Sequence, residues 1–431
     1  MQSIPYVTGY LTEHCGDDAF RTFDGYVARG GYEAAREALR ARKPEEIVEL
    51  VKNAGLQGRG GAGFSTGLKW SFMPAGGEKP KYLVCNADES EPGSFKDRLL
   101  LERAPHQMLE GILIAGFATG AEKTFVYVRG EYQEPARTLQ AAIDEAYARG
   151  ALGPDVLGTG FRHDVVVQRG AGAYICGEET GLLESLEGKK GQPRKKPPFP
   201  AQYGAFGMPT TVNNVETFSH VPHILRRGVD WFRSIGTDKS PGTTLFGVSG
   251  HVGRPGLYEL PLGTPLDEIV FRHAGGVRDG KRVKGVIPGG MSMPILPADQ
   301  LDVRMANEFL RERKTMLGTG GVMVMDEDTC MVRVGCVITY FFRDESCGQC
   351  TQCREGTGWL HKVFQRIERG EGRDEDLAIL EDVAAKMEGQ TICAFADAAA
   401  WPVQGLLRHF RSDFEIHLRE RKCPFERSFE L

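Results

Sequence analysis

Cysteines 347, 350 and 353 stand two residues apart in CGQCTQC, and Cys393 follows forty residues later. Three thiolates on one tight loop can ring a face of an iron–sulfur cubane, but its fourth iron needs a ligand that only tertiary folding can bring back. A structural zinc ion is the rival occupant of four cysteines. Zinc sites of that kind usually join one Cys-x-x-Cys to a second pair or to histidines, and no second pair stands here. The spacing therefore favours a [4Fe-4S] site at Cys347, Cys350, Cys353 and Cys393, and with it electron transfer.

Composition sets the outer limits. A chain of 431 residues can bury a large core and is long enough for about three domains. With 53 basic against 58 acidic residues, no nucleic-acid partner is expected. No apolar run reaches the roughly 20 residues that span a bilayer, and the opening MQSIPYVTGYLTEHCGDD lacks the pattern of a secretory signal. The ten cysteines read as reduced thiols rather than a disulfide framework. Cys85, Cys176, Cys330 and Cys336 are expected to be buried core thiols.

The texture changes along the chain. Pro44 to Ala54 has Ile47, Leu50 and Val51 on one face and Gly55 as a stop, which predicts a helix. From Lys81 to Val167, β-prone runs alternate with helical segments: YLVCNA, a helix after Pro105, FVYVRG, a helix over 134–149, then VVVQRG. Such alternation predicts a βαβ layered domain. Beyond the Lys/Pro-rich loop 188–202 and a helix near His220, short strands over 243–250, 256–260 and 284–290 predict a small mixed β module. From Cys330 onward the pattern is helical.

Three segments of the first half carry chemistry. In GLQGRGGAGFSTGLKW (55–70), glycines 58, 60 and 63 satisfy G-x-G-x-x-G, yet the segment before them is helical, so a Rossmann turn is not predicted. So many glycines are costly in backbone entropy, and close approach to a ligand is the expected return. Arg59 and Lys69 flank the loop and are expected to meet phosphate oxygens, while Phe64, Trp70 and Phe72 offer faces for stacking an adenine or flavin ring. The second segment, CNADESEPGSFKDR (85–98), follows a predicted strand, where ligands of α/β sheets bind. It crowds Asn86, Asp88, Glu89, Ser90 and Glu91 onto one turn. The third, GAGAYICGEETGLLESLEG from Gly170, runs a strand into Glu178 and Glu179 at the start of a helix, whose N-terminus is expected to face an anion or a polar ring. Further on, TTVNNVET supplies Asn213, Asn214 and Thr217.

Together, segments 55–70, 85–98, 170–188, 197–217, 345–356 and 393–409 resemble the NADH-oxidising flavoprotein (51-kDa) subunit of respiratory complex I, NADH:quinone oxidoreductase. The resemblance runs over nearly the whole chain. It implies an α/β Rossmann-like FMN domain, a ubiquitin-like β-grasp domain and a C-terminal α-helical bundle carrying the cluster. Mapped onto the textures above, these would occupy 67–234, 235–329 and 330–431, preceded by a helical segment and glycine loop over 1–66. It further implies FMN against Arg59, Gly60, Gly61, Gly63 and Lys69, with Asn86, Asp88, Glu89 and Ser90 beneath. Tyr174, Gly177, Glu178, Asn213, Asn214 and Thr217 would complete that pocket. NADH would place its adenine among Phe64, Phe72 and Phe199, close to Lys196. Ser65, Gln349 and Gln352 stand where the family usually has proline, lysine and proline, and none of the three is a ligand.

Glu91 and Glu179 match the family's acidic positions near the dinucleotide. They are assigned to orientation and selectivity, since hydride transfer to a flavin needs no protein acid or base. A carboxylate near the adenosine ribose disfavours a 2′-phosphate, which predicts NADH preference with Glu179 as discriminator. The implied partners are a thioredoxin-like [2Fe-2S] subunit and a large multi-cluster subunit, docked on a membrane arm, so that this chain would sit peripherally on the cytoplasmic face of the membrane. Two other functions fit the same motifs: the diaphorase of an NAD-dependent hydrogenase or formate dehydrogenase, and a non-catalytic iron–sulfur scaffold.

Overall fold

The computed structural model describes residues 6–425. Four parallel strands, β2 (Tyr82–Ala87), β3 (Lys123–Val128), β4 (Asp164–Arg169) and β5 (Thr210–Asn214), form a sheet in the order β4-β3-β2-β5. Both faces of β2 are covered, which explains why YLVCNA reads as an apolar run without alternation. Leu83, Cys85 and Ala87 enter a core made with the preceding helices, whereas Val84 enters one shared with the C-terminal helices.

The helix Pro105–Thr119 is buried nearly all round, because it packs on this sheet beside the helix Val215–Arg227 and is covered by helices Glu33–Ala41 and Pro44–Ala54. Gly111 permits the approach, since a Cβ there would stand 2.0 Å from the Phe218 carbonyl oxygen. Helix Pro44–Ala54 has proline in its first turn, Glu46 accepting from the Lys43 amide at 2.9 Å, and Gly55 in the left-handed region at φ 73°. Its Ile47, Val51 and Ala54 join the same core as β2 and β3, so packing is continuous across residue 66.

A six-stranded mixed sheet follows in the order β1-β7-β6-β10-β8-β9. Its members are β1 (Tyr6–Val7), β6 (Thr243–Gly250), β7 (Gly256–Pro261), β8 (Val283–Ile287), β9 (Leu296–Pro297) and β10 (Gly321–Asp326). β6 pairs antiparallel with β7 and parallel with β10, and the short β1 lies parallel to β7, which ties the start of the described chain to its middle. Helices Met331–Glu345, Thr351–Glu368, Asp376–Met387, Phe395–His409 and Arg411–Glu420 then pack about Phe364, Leu380, Val403 and Phe414.

Candidate functional site: a cluster niche beside a polar cavity

Cys347, Cys350, Cys353 and Cys393 line one small niche with Gln349, Thr391 and Phe395. Cys347 and Cys350 come from the turn between the two leading C-terminal helices, Cys353 from the first turn of Thr351–Glu368, and Cys393 from the segment that enters Phe395–His409. The spacing of the sulfurs separates the two candidate occupants. Among the described residues, three Cys, His, Asp or Glu ligand atoms lie within 4.8 Å of one another in a single place, and it is not this one. Sulfurs spread more widely than that suit the corners of a cubane better than a single zinc ion. Burial pushes the Cys353 thiol up to about 11 and the Cys393 thiol up to about 12, so binding iron as thiolates must displace protons.

At the C-terminal edge of β2 and β5 lies a cavity of ≈ 430 Å³, within the roughly 300–1,000 Å³ of small-molecule sites. Parallel pairing sets Asn86 beside Asn214 on that edge. The glycine loop forms one wall, closed on itself by the Gly58 amide donating to the Phe64 carbonyl at 2.8 Å. Gly61 and Gly63 hold φ of 115° and 66°, which L side chains rarely adopt, and a Cβ on Gly60 would stand 3.1 Å from Asn214 Cβ. Arg59, Gly60, Gly61, Asn86, Asp88, Glu89, Ser90, Glu91, Tyr174, Gly177, Glu178 and Asn214 all line this cavity.

Several of these side chains are turned to internal work. The buried Arg59 guanidinium donates to the carbonyls of Gln57 (3.0 Å), Pro241 (2.9 Å) and Thr243 (3.2 Å), pinning the loop to β6 rather than extending toward an anion. Its backbone amide donates to Thr217 Oγ1 at 2.9 Å. Glu89 accepts five bonds, from the amides of Lys96, Asp97 and Arg98 and the hydroxyls of Ser94 and Tyr132, and so caps the helix Lys96–Arg103. Glu178 Oε2 accepts from the amides of Thr180 and Gly181 at 2.7 and 2.8 Å. The helix N-terminus expected to face an external anion therefore already holds a carboxylate. Asn214 caps Val215–Arg227 through the Glu216 amide at 2.9 Å, and the buried Asn213 accepts from the Trp70 indole at 2.9 Å.

Other groups remain available. Asp88 Oδ2 and Ser90 Oγ are buried on residues that line the cavity and, among the described residues, have no hydrogen-bond partner beyond each other. Buried polar atoms are costly unless paired, and a flavin ring, with its alternating donors and acceptors, is a chemically suited partner. Burial pushes the Asp88 carboxyl up to about 7, so near neutral pH it can donate as well as accept. Glu91 accepts from Tyr174 Oη at 2.6 Å and from both the amide and hydroxyl of Ser292 at 2.7 Å. Burial raises its carboxyl above the usual range against those three bonds.

Glu179 lies outside the cavity lining, between Lys69 Nζ at 2.5 Å and Lys196 Nζ at 3.1 Å. Burial opposes its charge, but the two ammoniums prevail and hold the carboxyl below its ordinary value. Lys196 also meets Glu178 at 3.4 Å, and Lys69 donates to the Val212 carbonyl at 2.7 Å, so neither lysine is a bare phosphate hook. Phe64, Phe72 and Phe199 are exposed, the first two with ring centroids 6.3 Å apart.

Sequence reasoning missed the opposite wall and a buried charge group. Ser292, Asn307, Arg311 and Thr319 line the cavity from segments that carry no recognisable motif, and Phe395 and Trp401 line it from the 393–409 segment, where the sequence singles out only Cys393. Lys96, 1% exposed, holds Asp97 and Glu216 at 2.8 Å each, and Asn214 Nδ2 donates to Asp97 at 2.6 Å. Although burial alone would raise Glu216, Lys96 beside it holds the carboxyl down at about 2. The one available signal was the charged run Lys96, Asp97 and Arg98 between Phe95 and three leucines.

The chain matches the Nuo51 FMN-binding domain over residues 51–223, the SLBB domain over 244–324, and the NADH-ubiquinone oxidoreductase-F iron-sulfur binding region over 336–417. It is 55% identical over 400 residues to an NADH-quinone oxidoreductase F subunit of Rhizobium meliloti, covering 93% of this chain and 95% of that one. Identity to the corresponding NADH-quinone oxidoreductase F subunit of Rickettsia bellii is 52% over 385 residues, covering 89% and 92%. Among solved structures, a chain of an air-oxidized NAD+-reducing [NiFe]-hydrogenase superposes with a TM-score of 0.83 at 37% identity, covering 99% of this chain and 70% of that one.

Proposed function

As the chain belongs to the family of NADH-quinone oxidoreductase F subunits, NADH-oxidising flavoproteins with a [4Fe-4S] cluster, we propose that the cavity at the β2–β5 edge holds FMN and that electrons leave it past Phe395 toward Cys393. The observation that carries this reading is that Phe395 lines both the cavity and the cysteine niche. When bound, FMN supplies a hydride acceptor that can release electrons singly, and the cluster takes one electron at a time.

The residues divide the remaining work. The glycine loop gives close backbone approach, while Asp88 and Ser90 present polar atoms to the flavin; Asn86, bonded to the Gly177 carbonyl and the Asp88 amide, shapes the wall beside them. Tyr174 and Ser292 hold Glu91 in one orientation, so that it positions the dinucleotide instead of moving a proton. Phe64, Phe72 and Phe199 supply exposed rings for the adenine, with Glu179 and Lys196 beside the ribose. Arg59, Glu89, Glu178, Asn213, Asn214 and Thr217 act mainly by fixing the pocket's frame, because their side-chain atoms are engaged within the protein.

The electron acceptors are partner subunits: a thioredoxin-like [2Fe-2S] subunit and a large multi-cluster subunit, which hold this chain at the cytoplasmic face of the membrane. No helix among the described residues is long and apolar enough to cross a bilayer. Exposed Tyr340, Trp359 and Ile392 on the cluster-bearing domain are suited to burial against such partners. The higher identity to the quinone-reductase subunits than to the hydrogenase chain, 55% against 37%, favours quinone over a hydrogenase partner.

Anaerobic mixing of the FMN- and iron-loaded protein with NADH tests the reading. The flavin absorbance should bleach rapidly and the reduced cluster should become visible by electron paramagnetic resonance, with NADPH much slower. A flavin that stays oxidised would move the chain to a scaffold role.

A further inference from the structure

Cys330, His417 and Cys423 converge outside the cysteine niche, and the electron-transfer site uses none of them. Their ligand atoms lie within 4.8 Å of one another, with Cys330 Sγ 3.4 Å from His417 Nε2. For a tetrahedral zinc with Zn–S of about 2.3 Å and Zn–N of about 2.0–2.1 Å, the corresponding S···N separation is about 3.5 Å and S···S about 3.8 Å. Side-chain rotation alone can bring three atoms this close onto one ion.

The surroundings prepare the ligands. His417 Nδ1 lies 2.6 Å from the Asp413 carbonyl oxygen. A carbonyl can only accept, so Nδ1 carries the hydrogen and the Nε2 lone pair faces Cys330, the orientation that outer hydrogen bonds impose on metal-binding histidines. Cys330 caps the N-terminus of Met331–Glu345, where its sulfur accepts from the Arg333 amide at 3.4 Å. Cys330 and His417 are 4% and 0% exposed. Two thiolates, one neutral imidazole and a divalent cation sum to zero charge, which such a buried place tolerates. A thiol weakly bonded to imidazole is the plainer alternative. It accounts for Cys330 and His417, but not for a third soft ligand arriving from beyond the last helix.

We propose that Cys330, His417 and Cys423 bind one zinc ion, with water at the fourth position on the half-exposed side of Cys423, and that this ion fastens the segment after Arg411–Glu420 to the start of the first C-terminal helix. Other contacts already converge there: Lys284 pairs with Asp413 at 2.6 Å and stands 4.0 Å over the Phe425 ring, which stacks on His417.

The test is elemental analysis of the full-length protein loaded with FMN and iron. Wild type should retain about one zinc per FMN in addition to its cluster iron, whereas Cys423→Ser should lose the zinc while keeping FMN and iron, which also shows that it has folded. Cys336→Ser, which removes a buried thiol outside the triad, should keep the zinc. Cobalt loaded in place of zinc should show thiolate-to-metal charge-transfer absorption that Cys423→Ser lacks. Wild type without zinc, zinc retained by Cys423→Ser, or a Cys330–Cys423 disulfide found by alkylation and mass spectrometry would each overturn the proposal.

Discussion

Replacing Glu179 by Gln keeps its shape and removes one charge from a group in which two ammoniums, Lys69 and Lys196, balance two carboxylates, Glu178 and Glu179. The variant leaves that group at a net charge of about +1. A 2′-phosphate carries about −1.5 to −2 at neutral pH, and each unit of charge interacts by about 332/(εr) kcal/mol. At roughly 6 Å that is about 0.7 kcal/mol at ε of 80 and about 2.8 kcal/mol at ε of 20. The side chains involved are 23–31% exposed, so the lower half of the range applies. With about 1.5–2 charges, a relative gain for NADPH of about 1–3.5 kcal/mol follows, or roughly five-fold to a few hundred-fold in the NADPH/NADH ratio of kcat/KM. Steady-state reduction of ferricyanide with each nucleotide reads this directly, and most of the change should appear in KM for NADPH. In 1 M salt, where the Debye length is about 3 Å, the gain should largely vanish. A ratio altered less than threefold at low salt, or a gain indifferent to salt, would refute the electrostatic role.

Three further outcomes are expected. Cys393→Ser should abolish the cluster signal and strip most iron while FMN content and NADH-dependent flavin bleaching persist; loss of FMN in step with iron would show that the two sites do not form separately. Lys96→Met leaves Asp97 and Glu216 buried without their cation and should cost about 3–5 kcal/mol, seen as a thermal midpoint lower by roughly 5–15 °C; an unchanged midpoint would contradict the buried network. Because burial raises the Asp88 carboxyl from 3.8 in the free state to about 7, the FMN-free native state binds the extra proton between those values, and its stability falls as pH rises through that window. Asp88→Asn should flatten the pH dependence of the FMN-free melting temperature and stabilise more at pH 8 than at pH 5, and equal gains at both pH values would argue against a perturbed Asp88.

Much of the architecture was legible because its signals are local. The spacing of Cys347, Cys350 and Cys353 falls within the iron-sulfur binding region matched over 336–417, and the stop at Gly55 and the helix after Pro105 obey short-range rules. Side-chain direction was not legible. Arg59, Glu89, Glu178 and Asn214 occupy a ligand-rich neighbourhood, yet each has nearby backbone groups that need a partner, and a motif cannot say which demand prevails. Distance in sequence hid the rest. Glu216 reaches Lys96 across 120 residues, Ser292 reaches Glu91 across 201, and Cys330 reaches His417 across 87. Cys330, expected to be a core thiol, is buried as expected, but its neighbours gave no local hint.

The shared wall at Phe395 bears on biogenesis. A chain emerging from the ribosome can form its parallel sheet and glycine loop early, since domains fold in order of synthesis. If the cavity holds FMN and the niche holds the cluster, as proposed, then until residues 393–401 are made the cluster lacks Cys393 and the cavity lacks the side supplied by Phe395, Ala398 and Trp401. Neither prosthetic group can be sealed in during translation of the first nine-tenths of the chain. Loading of both is thereby deferred to the finished polypeptide, and a nascent chain stalled before that point would release an apoprotein open at both sites.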